Sequence, residues 1–158
     1  MDYPGLFILA RALHVAALAH WLGGVAFVTT VVLPAARSLP GKEGVGLFLR
    51  VEATFSRQAR WSVAVAGLTG LWMLFALNGW WRFSTPGHWW LWAMVVLWAL
   101  YAVLIYILEP QNHARMVAMA AARPATFLAR VHRLHLVLVA ISLAVLLAGV
   151  AGSHGWRP

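Results

Sequence analysis

Seven histidines stand in a chain of 158 residues that is 63% hydrophobic and only 10% charged. Imidazole titrates near neutral pH, and as a neutral base it binds haem iron, copper or zinc. His14 and His20 fall inside the first apolar run, and His132 and His135 lie where the fourth begins. An ionisable group within a membrane span is costly and normally faces the bundle interior, so these four are the candidates for chemistry. His88, His113 and His154 fall in connections or the tail, where a solvated histidine needs no special role.

Spacing sorts the four into levels. His14 and His20 are six residues apart, which turns them about 120° from one another on a helix. They cannot both address one narrow site. His14 lies about 12 Å below the start of its run at the helical rise, a depth that Met73 and Met94 share on the second and third runs. His20 falls near the bilayer centre, with His132 and His135 towards the opposite face. Ala16 and Gly24 flank His20, and Ala140, Ala144, Ala148 and Gly152 form a similar stripe on the fourth run. Such small residues suit a tight helix crossing or the approach of a flat macrocycle.

Three chemistries fit these residues. Haem needs one or two axial ligands in an apolar slot, with cations for its propionates. His14 with Met94 would serve an outer haem, and His20 with His135 or His132 an inner one. Arg11, one turn before His14, and Arg130 and Arg133 would neutralise propionates. Copper(I) favours imidazole with thioether, a set that His14, Met73 and Met94 could supply. In the third reading the histidines only hydrogen-bond across the bundle. The absence of cysteine excludes thiolate catalysis, disulfides and iron–sulfur ligation. No Ser-His-Asp arrangement or carboxylate pair within a span is visible, and Glu109 before Pro110 reads as a wet helix end.

The elements that must position these residues are transmembrane helices. A soluble domain carries about 25% charged residues, and this chain has too few for a polar coat. Apolar runs at about 6–33, 61–81, 89–108 and 130–151, the last with its apolar core from Leu134, are each near the roughly 20 residues that cross a bilayer. Pro34 ends the first. Trp80, Trp81, Trp89 and Trp90 bracket the second connection, as aromatic residues do at a membrane interface. The first connection carries Arg37, Lys42, Arg50, Arg57 and Arg60, and the third carries Arg115, Arg123 and Arg130. Arg82 is alone in the second. By the positive-inside rule the first and third connections are cytoplasmic and both termini lie outside. The net charge of +8 therefore speaks of topology in a bacterial inner membrane, not of nucleic acid. Pro40, Gly41, Gly44 and Gly46 predict a turn, followed by an amphipathic stretch over 47–60 that lies against lipid heads.

The first run reads Arg11-Ala12-Leu13-His14, then Trp21-Leu22-Gly23-Gly24 and Leu33-Pro34. The second contains Ala59-Arg60-Trp61 and Leu68-Thr69-Gly70-Leu71-Trp72. Together they resemble the four-helix membrane proteins of the HemJ-type protoporphyrinogen IX oxidase and CopD-type copper-resistance group. The resemblance implies that His14 is a haem ligand. The HemJ-type third helix carries Trp-Leu-His-x-Lys, whereas this chain has Trp90-Leu91-Trp92-Ala93-Met94, so methionine stands in place of the lysine. His132-Arg133-Leu134-His135 has no counterpart there and marks the place for a second, inner haem.

The expectation is an all-α, integral membrane four-helix bundle that binds one or two b-type haems. It would transfer electrons or act as a haem-dependent oxidoreductase with a quinone or another membrane redox partner. The alternatives are a CopD-like copper-handling protein and a structural subunit without cofactor. The Trp-rich rim and small-residue stripes would permit a homodimer.

Overall fold

The computed structural model describes residues 3–156, which form four helical rods with no strand among them. The first rod is α1 (Tyr3–Phe27), a π-helical turn (Val28–Val32) and α2 (Leu33–Ser38). The second is one helix, α3 (Gly41–Ala76). Short 3-10 turns, Gly79–Ser84 and Pro86–His88, lead into the third. That rod is α4 (Trp89–Val103), a second π-helical turn (Leu104–Leu108) and α5 (Glu109–Ala122). The fourth is α6 (Pro124–Ser153). All four are long and apolar enough to cross a membrane, so the chain is a multi-pass membrane protein. Contacts join α1 to α3, α3 to α4, α4 to α6 and α6 to α1, which closes the ring.

Each rod overruns the bilayer. The 36 residues of α3 extend about 54 Å at the helical rise, against about 30 Å of hydrocarbon. The sequence predicts a turn and a separate surface helix over 41–60; instead α3 runs unbroken from Gly41. The first connection turns only at Leu39–Pro40, where the Pro40 carbonyl accepts the N–H groups of Glu43 and Gly44. The reason lies in the buried stripe. Val45, Phe48, Ser56, Ala59, Ser62, Val63 and Ala66 keep helical spacing straight through the arginines. Arg50 and Arg57 sit on the opposite, exposed side. Asn78 ends the rod's exit with φ 48°, a left-handed conformation that asparagine tolerates better than most residues.

The first and third rods also fail to stop where expected. Proline lacks an N–H, and its ring clashes with the carbonyl four residues back, which normally kinks or ends a helix. Pro34 and Pro110 each follow a π-helical turn by two residues. In both turns a backbone N–H reaches five residues back, Leu33 to Val28 and Glu109 to Leu104. The wider turn takes up the proline and the rod continues. The fourth rod likewise starts earlier than the expected 130, at Pro124, whose missing N–H costs nothing in a first helical turn.

Two cores stack along the bundle. Trp21, Val25, Val63, Leu97, Tyr101 and Leu138 fill the half within the apolar runs. Trp21 meets Tyr101 edge-on at 4.7 Å, and Tyr101 donates to Ser142 Oγ at 3.1 Å while Ser142 donates to Leu138 O. Val32, Leu33, Ala36, Val45, Phe48, Phe127 and Leu128 fill a second core at the Arg-rich end. Around the first core the outer surface is greasy: Trp61 is 77% exposed and Phe75 73%, which only lipid can cover without penalty.

Glycines let the rods approach. A side chain on Gly67 would stand 2.6 Å from the Trp98 ring, and Gly24 and Gly152 likewise accept the rings of Phe55 and Trp90. The Gly24 notch beside His20 therefore holds an aromatic side chain of α3. On α6 the buried seam is Leu138, Ser142 and Gly149, whereas Ala140 and Ala144 face outward.

Candidate functional site

Two of the four candidate histidines keep the lone pair of a ring nitrogen free of any protein donor. His14, half-buried on α1, turns towards α3. Its Nδ1 lies 2.9 Å from the Ala66 carbonyl and 3.0 Å from Thr69 Oγ1. The Thr69 hydroxyl hydrogen goes to its own helix, towards the Val65 carbonyl at 2.6 Å. A carbonyl can only accept, so Nδ1 carries the proton and Nε2 is left with its lone pair. Gly70 makes room for the ring; a Cβ there would stand 3.2 Å from His14 Cε1. His135 on α6 is prepared alike, with Nδ1–H donating to Val131 O at 3.0 Å. Its ring meets Phe48 edge-on at 6.3 Å.

The other two are engaged. His20 Nε2 donates to Gln58 Oε1 at 3.2 Å, and its Nδ1 accepts from Ser62 Oγ at 2.8 Å. His132 Nδ1 accepts from the Arg37 guanidinium at 2.9 Å, which staples the first rod to the fourth at the Arg-rich end. Nor does Met94 face His14: its sulfur lies against Gly149 of α6, where a Cβ would stand 2.9 Å away. His14 thus belongs to the α1–α3 pair and Met94 to the α4–α6 pair. Arg11, Arg130 and Arg133 are all exposed, Arg11 near the Trp-rich end and the other two at the Arg-rich end. Among the described residues no three His, Asp or Glu side chains converge as a metal site.

Sequence reasoning missed a cavity of about 270 Å³ near the Arg-rich end, lined from all four rods. Its polar walls are Glu52, Ser56, Tyr101, Glu109, Asn112 and His135. Glu109 is no wet helix end: Ser56 donates to its Oε2, and Arg60 Nη2 lies 3.4 Å from its Oε1. Glu52 has neither a hydrogen bond nor an ion pair among the described residues. The signal for this cavity was the scarcity of acid. Only four carboxylate residues occur in the chain, and two of them line one space. No family model, curated protein or solved structure matches the chain.

Proposed function

We propose that the chain is a b-type haem-binding protein of a bacterial inner membrane, with His14 as an axial ligand and both termini on the extracytoplasmic side. The observation that carries this reading is the preparation of His14. Histidines that hold a metal almost always donate their other N–H to a carbonyl or carboxylate, which fixes the tautomer and raises basicity. His14 does this through Ala66 and Thr69, and the Gly70 notch keeps the ring in place. Bound haem supplies one-electron chemistry, with a quinone or another membrane redox partner as the natural exchange partner for a site inside a transmembrane bundle. The protein's part is to orient the ring, hold the Nδ1 proton and keep the site within an apolar bundle. His20 and His135 remain the residues for a second haem. His20 would have to give up a hydrogen bond to ligate, so one haem per chain is the expected stoichiometry.

The test is an oxidised and dithionite-reduced visible spectrum of the detergent-purified protein, with a pyridine haemochrome assay. A Soret band that shifts on reduction, present in the wild type and absent in His14→Ala, is expected. Two haems per chain would restore the His20 level. A colourless protein from haem-replete cells that carries copper would favour the CopD-like alternative, and one without metal would refute both. Because the chain has no cysteine, single cysteines introduced at Arg57 and His88 report topology through membrane-impermeant labelling. Label reaching only His88→Cys from outside is the expected result.

A further inference from the structure

The cavity near the Arg-rich end is built at a structural cost. The two π-helical turns of the described residues both border it: Val28 comes from the first, and Leu104, Ile105 and Leu108 from the second. Such turns are rare inside α-helices and recur at functional sites. At about 270 Å³ the space approaches the small end of ligand pockets, about 300 Å³, and cannot enclose a two-chain lipid.

Its chemistry selects the occupant. The chain has 12 Lys and Arg against 4 Asp and Glu, yet the cavity is lined by Glu52, Glu109 and His135 and by no Lys or Arg. Arg60 pairs directly only with Glu109, and the half-buried Glu52 has no ion pair or hydrogen bond of its own among the described residues. A carboxylate half-buried among apolar side chains without a direct partner is costly, and a cation placed beside it relieves that cost. The three groups do not converge as a metal site, so they suit a molecule that extends across the space and not a single ion. We propose that this cavity binds a small lipophilic amine, its apolar body among Val28, Leu104, Ile105 and Leu108 and its protonated nitrogen at Glu52. The site is distinct from His14, so amine binding here and haem binding at His14 succeed or fail separately.

The experiment is calorimetric titration of the full chain in phosphatidylcholine nanodiscs, with empty nanodiscs as the partition reference. Three probes share one body and differ in head: 4-phenylbutylamine, 4-phenylbutanol and 4-phenylbutyrate. The amine should bind about tenfold or more tighter than the alcohol, the scale of one hydrogen bond to a charged group, and the carboxylate should not bind. Glu52→Gln should abolish the preference and Glu52→Asp should keep it, with thermal melts confirming that both variants fold. Equal affinity for amine and alcohol, tighter binding of the carboxylate, or a Glu52→Gln protein with unchanged amine affinity would each overturn the proposal. If Glu52→Gln does not fold, the three-probe comparison on the wild type decides alone.

Discussion

At both His14 and His135 a backbone carbonyl takes the Nδ1–H and Nε2 is left without a protein partner, yet the two rings stand in opposite surroundings. His14 sits between two close-packed rods, with Thr69 and Gly70 facing it and Arg11 one turn away on its own helix. His135 lines an open space with Glu52 and Glu109 and no Lys or Arg. The same tautomer therefore suits different partners. Beside a cation, a free imidazole nitrogen favours an electron-poor metal carrying anionic substituents; beside unpaired acid, it favours a cationic or hydrogen-donating guest.

The largest effect that could break this contrast is on haem content. His14→Ala should remove the Soret band entirely, because no other histidine on that rod has a free nitrogen. His20→Ala and His135→Ala should keep it, and His20→Ala should cost about 1 kcal/mol of stability, since it removes hydrogen bonds to Ser62 and Gln58. A chromophore that survives His14→Ala and disappears in His135→Ala would reverse the assignment of the two levels.

Next in size is the packing that holds the levels apart. Gly44 lies against the backbone carbonyl of Ala36 at the Leu39–Pro40 turn, and backbone cannot rotate aside as a side chain can. Gly44→Ala should destabilise the protein by about 2–3 kcal/mol, the upper range for overpacking, read as a lowered midpoint of thermal unfolding in detergent. Gly23, with nothing within 4 Å of its added Cβ, is the control. Gly23→Ala should be neutral or stabilising by up to about 1 kcal/mol, the propensity difference in a helix. Equal losses at both positions would mean that the turn is not the tight crossing described.

The four spans were legible because hydropathy and helical spacing act locally, on one rod at a time. What stayed hidden depends on contacts between rods. Pro34 and Pro110 read as helix ends, since nothing local tells that a π-helical turn will absorb them. Gly44 and Gly46 read as turn residues, since the stripe from Val45 to Ala66 is convincing only once a partner buries it. The Gly24 gap beside His20 could have admitted a macrocycle, and only the arrival of Phe55 from α3 fills it. Glu52 and Glu109 are 57 positions apart, so their sharing of one cavity is a fact of topology alone.

The prolines sharpen the comparison from the cavity side. Pro110→Ala removes the ring that obstructs the Tyr106 carbonyl and restores an N–H, which lets the third rod return towards α geometry. That change would rotate Leu104, Ile105 and Leu108 relative to the α5 residues beyond them. Amine affinity should fall about threefold to tenfold, or roughly 0.7–1.4 kcal/mol, with haem content unchanged. Unaltered amine binding would mean that the π-helical turn accommodates the proline and does nothing for the cavity.

The smallest effect lies at His14 itself. Thr69→Val removes one of two acceptors for the Nδ1–H at almost constant volume and leaves the Ala66 carbonyl in place. A ligating imidazole whose N–H is held less firmly is a weaker donor to its metal. Haem should therefore stay bound while the reduction potential rises, because a poorer donor stabilises the oxidised iron less. Thr69→Ser keeps the oxygen and should leave the potential where it was. If serine and valine shift it equally, altered packing around position 69 is responsible, and the hydrogen bond to His14 does not tune the iron.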